Sequence, residues 1–305
     1  MATGTTEMTE SRPVAGALWM LLTGLCFVAV TALVKYLGDR VPAAESAFLR
    51  YLLGLVFLLP MLRPLMRARP SRRQMGLFAG RGLLHAIGVI LWFYAMTRIP
   101  IAEVTAMNYL APVYVTVGAA LFLGERLAIR RIAAVGAALL GAMIILRPGF
   151  RELDPGHFAM LGTAAIFGTS YLMAKVLSDE TGPALTVAML SIWVTVGLAP
   201  FAAAVWITPT LWEIGVLLTV ALFATAGHYS MSLAFRAAPI TVTQPVTFLQ
   251  LIWAVLLGMA VFGEPLDPWV VLGGVLILSA VSFITWREAV LKRRAITPPT
   301  PATKY

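Results

Sequence analysis

The sequence predicts an all-α integral membrane protein whose ten transmembrane helices form two five-helix inverted repeats. Three observations lead there. Hydrophobic residues make up 60% of the 305 and charged residues only 12%, where soluble domains carry roughly 25% charged residues. The apolar residues fall in continuous runs of spanning length, about 20 residues each, not in the short alternating segments of a β-barrel. Finally, one stretch occurs twice. Residues 100–125 read PIAEVTAMNYLAPVYVTVGAALFLGE and residues 239–264 read PITVTQPVTFLQLIWAVLLGMAVFGE, at a constant offset of 139. In each copy Pro-Ile opens the run, where a missing N–H costs nothing, and Gly-Glu closes it, because Gly ends a helix readily.

The predicted helices cover roughly 14–37, 43–62, 76–97, 101–123, 128–146, 158–177, 184–206, 212–235, 240–262 and 268–286. Five helices per half is an odd number, so the second copy enters the membrane from the opposite side. Helix 4 then runs from outside to inside and helix 9 from inside to outside. Secondary transporters use such inverted repeats for alternating access, with the substrate site near the midplane between them. A weaker echo supports the duplication: Phe27 and Lys35 match Phe167 and Lys175 at an offset of 140.

Arg and Lys set the orientation. Arg63, Arg67, Arg69, Arg72 and Arg73 follow helix 2, Arg126, Arg130 and Arg131 follow helix 4, and Arg287, Lys292, Arg293 and Arg294 follow helix 10. All lie on one side, read as cytoplasmic. The predicted organisation is a cytoplasmic tail (1–12), a first repeat (13–147), a periplasmic linker (148–157), a second repeat (158–287) and a cytoplasmic tail (288–305). The last nine residues, TPPTPATKY, are expected to be disordered.

Composition excludes several classes. The net charge of +9 sits in short loops and the C-terminal tail, as topology signals do, so no nucleic-acid partner is expected. A lone cysteine, Cys26, rules out an internal disulfide framework. The first apolar run is too long for a signal-peptide core. There is no Walker A sequence, no metal motif and no Gly-x-Ser-x-Gly. Neither metal nor cofactor nor catalytic residue is expected. The implied partners are a small-molecule substrate, the lipid bilayer and candidate coupling protons, and a homodimer stays open.

Ten helices in two inverted repeats, with Pro-Ile and Gly-Glu bounding the fourth and ninth, resemble the EamA branch of the drug/metabolite transporter superfamily. The resemblance covers about residues 14–287 and includes Arg50 in the stretch Phe48-Leu49-Arg50-Tyr51. The second half departs from it, with Leu190 near the equivalent position. The resemblance implies an inner-membrane carrier of amino acids, vitamins, nucleotide-like metabolites or drugs, and proton exchange or facilitated diffusion as its energetics. A membrane-embedded enzyme acting on a lipid-linked substrate is the alternative, but the intramembrane acids are too scattered to form a catalytic cluster. A channel is the third reading, and nothing suggests a selectivity ring.

The candidate residues follow in chain order. Lys35, Lys175 and Arg236 are expected to snorkel. Glu45 and Arg50 in helix 2 are five apart, a poor spacing for a pair; Arg50 is a candidate for a substrate carboxylate. His85 in helix 3 and His228 in helix 8 share a face in the repeat frame, since the offset carries residue 85 to 224, one turn away. Both are proton-coupling candidates or neutral packing residues. Trp92, Tyr94, Tyr229 and Trp253 are candidates for stacking on a planar substrate or plain helix packing; Tyr114 and Tyr171 are read alike. Glu103 suits the positive end of helix 4 and is the third proton-coupling candidate.

On helix 4, Thr105, Asn108, Tyr109, Pro112 and Thr116 lie on one face. The offset maps Thr105 and Asn108 to Gln244 and Thr247. These polar positions suit either a cavity wall or interhelical hydrogen bonds. Pro112 and Pro245 should bend their helices, differently in the two halves. Glu125 and Glu264 fall on opposite membrane faces, which suits a structural or gating role. Trp19, Trp212, Trp269 and Trp286 read as interface anchors. His157 is expected to be unremarkable.

Overall fold

A computed structural model of the chain describes residues 12–61, 68–123, 128–181, 183–238 and 240–296. Glu125, Arg63, Arg67, Arg126 and both chain ends lie outside the described residues, as do the side chains of Lys175, Arg236, Gln244 and Pro245. Eleven α-helices are found among the described residues: α1 (Pro13–Leu37), α2 (Ala43–Gly54), α3 (Arg72–Arg98), α4 (Ile101–Asn108), α5 (Ala111–Leu123), α6 (Ile129–Leu146), α7 (Pro155–Thr181), α8 (Pro183–Ala204), α9 (Leu211–Ala237), α10 (Ile240–Phe262) and α11 (Pro268–Ile296). Six helical stretches, at 13–40, 72–98, 129–146, 185–204, 211–235 and 268–287, are long and apolar enough to cross a membrane. With no strand among the described residues, this is an all-α membrane protein.

Helix ends follow local chemistry. α3 begins at Arg72, four residues before the apolar run, because Ser71 and Gln74 form a capping box: the Gln74 N–H donates to Ser71 Oγ (3.2 Å) and the Ser71 N–H to Gln74 Oε1 (2.9 Å). Thr210 and Glu213 do the same for α9. Two short polar motifs that the hydropathy reading passed over thus set both starts. α2 tightens into a 3-10 segment at Leu55–Met61, so the second predicted helix is α-helical only in its first part.

The fourth predicted helix breaks. Pro112 has no N–H to donate to the carbonyl of Asn108, and the chain turns at Tyr109 and Leu110 before α5 resumes. α10, its counterpart, runs unbroken. Gly263, with φ 65°, ends α10, as the Gly-Glu closure predicts for that copy.

The helices cross the halves of the chain. α1 packs against α9 and α10, α3 against α7 and α8, α2 against α8 and α9, α5 against α7, α4 against α10 and α11, and α6 against α11. Lipid tails are as apolar as leucine, so close backbone approach carries such contacts. At the α6–α11 crossing a Cβ on Gly141 would sit 2.7 Å from the Gly273 carbonyl oxygen, and one on Gly273 2.5 Å from that of Gly141. Phe93, Met96, Met107, Leu110, Met160 and Leu198 are fully buried in the interior these crossings enclose.

Candidate functional site

Two histidine–phenylalanine contacts join the two halves of the chain. His85 on α3 stacks on Phe167 of α7 with ring centroids 4.4 Å apart, and His228 on α9 meets Phe27 of α1 edge-on at 5.1 Å. Phe27 and Phe167 are the pair matched at offset 140, so each half's histidine contacts the other half's equivalent ring. Gly88 and Gly227, 139 residues apart, make room for the two rings. A Cβ on Gly88 would lie 2.8 Å from the Phe167 ring, and one on Gly227 3.3 Å from that of Phe27.

Around this centre the sequence places more basic groups than the reading above singled out. Arg81, one turn before His85 on α3, is buried; its Nε donates to the Ser170 carbonyl (3.1 Å) and hydroxyl (3.3 Å), and its Nη1 to the Thr186 carbonyl (3.2 Å). Ser170 Oγ also meets His85 Nδ1 at 3.0 Å. Arg50 is only 7% exposed and lies 4.1 Å over the ring of Tyr51. His85 lies within electrostatic reach of Arg81, Arg50 and His228. Tyr171 (46% exposed) and His228 both keep accessible surface. Trp92 stands 6.1 Å and Tyr171 6.3 Å from Phe167, and the Trp92 Nε1–H is buried without an acceptor. Every described carboxylate side chain lies in a connection or within three residues of a helix end. Glu45 and Glu103 are buried near helix ends, while the groups around His85 are basic and aromatic.

The face of the fourth predicted helix meets its repeat. The Tyr109 hydroxyl, in the break, donates to the Thr247 carbonyl at 3.0 Å. Thr105 and Thr116 are buried, and Asn108 keeps a buried Oδ1 without a donor. Gln244, as a side chain, lies outside the described residues. Tyr94 carries Arg98 over its ring at 4.5 Å, toward the end of α3. Tyr229 (67% exposed) continues an outward apolar stripe with Leu218 and Leu222, and Trp253 (37% exposed) shares one with Leu249, Ile252 and Leu256. These two aromatics are not brought to the His–Phe centre. Arg81, Ser170 and Tyr51 were not among the sequence candidates. An arginine and a histidine four apart inside an apolar helix was the available signal.

A second polar cluster lies at the end of the bundle at which residues 147–157 connect α6 and α7. Glu264 pairs with Lys35 (2.6 Å) and accepts the Ile101 N–H (3.0 Å), while Lys35 also donates to the Ile99 carbonyl (2.8 Å). Lys35 thus does not snorkel to water; a carboxylate from the other half holds it. Glu103 takes a bidentate contact from Arg151 (2.9 and 2.7 Å) and meets His157 Nε2 at 2.6 Å, so His157 is a structural participant. Arg147 pairs with Asp267. The Glu103 carboxylate raises the pKa of the Arg151 guanidinium further above its ordinary value. Glu103, Arg151, Glu264 and Asp267 border a cavity of about 170 Å³.

Apolar helices of spanning length with polar groups packed between them place the chain in the class of polytopic membrane proteins. Comparison with known proteins narrows that class. The profile of the EamA-like transporter family matches residues 14–147 and again 154–286. The chain is 32% identical to a riboflavin transporter of Rhizobium johnstonii, covering 93% of this chain and 95% of that one. It is 31% identical to a riboflavin transporter of Vibrio cholerae (93% and 97%) and 26% identical to an S-adenosylmethionine uptake transporter of Rickettsia bellii (88% and 93%). A solved crystal structure at 17% identity superposes with a TM-score of 0.58 over 93% of this chain and 99% of that chain, a likeness of fold. The chain belongs to the EamA-like transporter family. It is a multi-pass inner-membrane transporter of a small metabolite, not an enzyme.

Proposed function

We propose that the protein is a secondary carrier of a planar aromatic metabolite of the flavin type, built as ten spans in two inverted five-helix repeats that rock about a central cavity. The observation that carries the substrate class is the basic, ring-lined centre formed by Phe27, His85, Phe167 and His228, with Arg50 and Arg81 beside it. S-adenosylmethionine bears a sulfonium cation, and the described carboxylates of the interior, Glu45 and Glu103, are buried near helix ends and not beside the His85–Phe167 stack. A flat ring finds stacking partners there. Two relatives named as riboflavin transporters point the same way.

The packing supports the repeat layout. Exchanging each helix with its repeat counterpart turns the α1–α9 contact into α7–α3, the α1–α10 contact into α7–α5 and the α2–α9 contact into α8–α3. It leaves α6–α11 and α2–α8 on themselves. The polar cluster at the 147–157 connection then serves as the outer gate, with the substrate cavity entered from the cytoplasm and both termini cytoplasmic. Thr105, Asn108, Tyr109, Gln244 and Thr247 form the hinge-side wall of the route. Of the proton-coupling candidates Glu103 is tied to Arg151 and His157, so His85 and His228 are the two proposed to carry a proton. Uptake of labelled riboflavin and labelled S-adenosylmethionine, with and without a pH gradient, tests the reading. Riboflavin should accumulate and S-adenosylmethionine should not; the reverse order would overturn the substrate class. A green fluorescent protein fused to the C-terminus should fluoresce, and a dark fusion would invert the topology.

A further inference from the structure

Arg50 is the basic group of the interior that the protein itself leaves unanswered. It sits on α2, seven residues into the helix and 7% exposed, yet among the described residues no oxygen accepts a hydrogen bond from its guanidinium. Its described contact is the face of Tyr51, which offers a cation weak compensation compared with a carboxylate or phosphate. A charged group held inside a membrane protein is costly, and such groups face the bundle interior and pair with one another or with a substrate. Arg81 nearby has spent Nε and Nη1 on Ser170 and Thr186, which fixes its orientation and leaves Nη2 without a described partner. His85, held by Ser170 at Nδ1 and stacked on Phe167, keeps Nε2 free of any described bond. Arg81 and Arg50 both lie within electrostatic reach of His85.

We propose that Arg50, Arg81 and His85 form an anion subsite beside the Phe167 and Trp92 rings, so that the preferred cargo is a planar aromatic carrying an acidic group. The inference rests on the central cavity being the substrate route. Ring stacking holds the flat part of the cargo. The two guanidinium forks and the imidazole take its phosphate or carboxylate, matching donors to acceptor oxygens as arginine does well. The rival assignment gives Arg50 to a carbonyl oxygen of an uncharged ring, a neutral acceptor worth less to a guanidinium.

Riboflavin and riboflavin 5′-phosphate share one ring system and differ by the anionic group, so the pair isolates the subsite. Binding is read by quenching of flavin fluorescence on the purified full chain, and exchange by counterflow in proteoliposomes. The phosphate is expected to bind at least tenfold more tightly than riboflavin. Arg50→Gln should bring the two to within about twofold, Arg50→Lys should restore part of the difference, and Arg81→Gln should also narrow it. Fluorescence-detected size exclusion confirms that each variant folds. Equal affinities in the unaltered protein, or an advantage of the phosphate that survives in both Gln variants, would overturn the subsite while leaving the carrier reading standing. Failure of both flavins to bind or exchange would overturn the flavin reading and the subsite with it.

Discussion

Replacing Glu264 tests the assignment of the ionic cluster as a gate. One oxygen of this carboxylate pairs with Lys35 at 2.6 Å, and the other takes the Ile101 N–H at 3.0 Å, the first orphan donor of α4. The two charged side chains are 12% and 17% exposed, so water screens the pair only partly. A charge-assisted contact of this kind contributes about 2 kcal/mol, and the helix cap about 1 kcal/mol more. Lys35 keeps its bond to the Ile99 carbonyl, so the larger penalty of a wholly orphaned buried charge does not apply. Glu264→Ala should therefore weaken closure by about 3 kcal/mol, roughly a hundredfold in the open-to-closed ratio. Glu264→Gln keeps an acceptor for Ile101 and should cost about 2 kcal/mol, roughly thirtyfold. With Cys26→Ala removing the native thiol, Ala102→Cys places a reporter in the adjoining cavity. The rate of labelling by a membrane-impermeant maleimide should rise in the order unaltered, Gln, Ala. Equal rates in all three, with unchanged folded yield, would refute the gate.

Other outcomes follow from the same geometry. Gly88→Ala forces a methyl against the Phe167 ring and should lower stability by about 1–3 kcal/mol, read as a drop in melting temperature; Gly227→Ala, with half an ångström more room beside Phe27, should cost less. Asn108→Ala and Gln244→Ala should impair transport more than they impair folded yield, and equal loss of both would assign these residues to helix packing. Beyond the apolar run of α7, bonds from Arg73 and Gln74 hold the Glu180 carboxyl below its ordinary 4.5. That contact is present above the ordinary value and is lost as pH falls through the lowered one. Arg73→Ala should raise the midpoint in an NMR titration of Glu180, and an unmoved midpoint would contradict the assignment.

The fold was legible because its determinants are local and periodic. Apolar runs placed the spans, Gly263 ended α10 where the repeat required, and the missing N–H of Pro112 broke the fourth helix where bending was expected. Polar caps were harder: Ser71 with Gln74 and Thr210 with Glu213 extend helices beyond their apolar runs. The site was only half legible. His85, His228 and Arg50 stood out as ionisable groups inside apolar segments. Which rings they meet depends on helix crossings that no single stretch encodes, so the sequence shows Phe167 as a repeat mark and not as a stacking partner. Trp253 and Tyr229 resembled cavity aromatics by type, yet helix rotation turns them outward. Lys35 and Glu264 lie 229 residues apart, and only the packing of α1 against α10 brings them together.

Counterflow probes the carrier assignment at its centre. Proteoliposomes loaded with unlabelled riboflavin and diluted into a trace of labelled riboflavin should take up label transiently above equilibrium, with the flavin chemically unchanged. Glu264→Ala should alter the transient by loosening closure, whereas Arg50→Gln should leave it close to that of the unaltered protein. Label that merely equilibrates at the same rate with and without internal riboflavin would mean that no alternating site carries it, and would contradict the proposed mechanism.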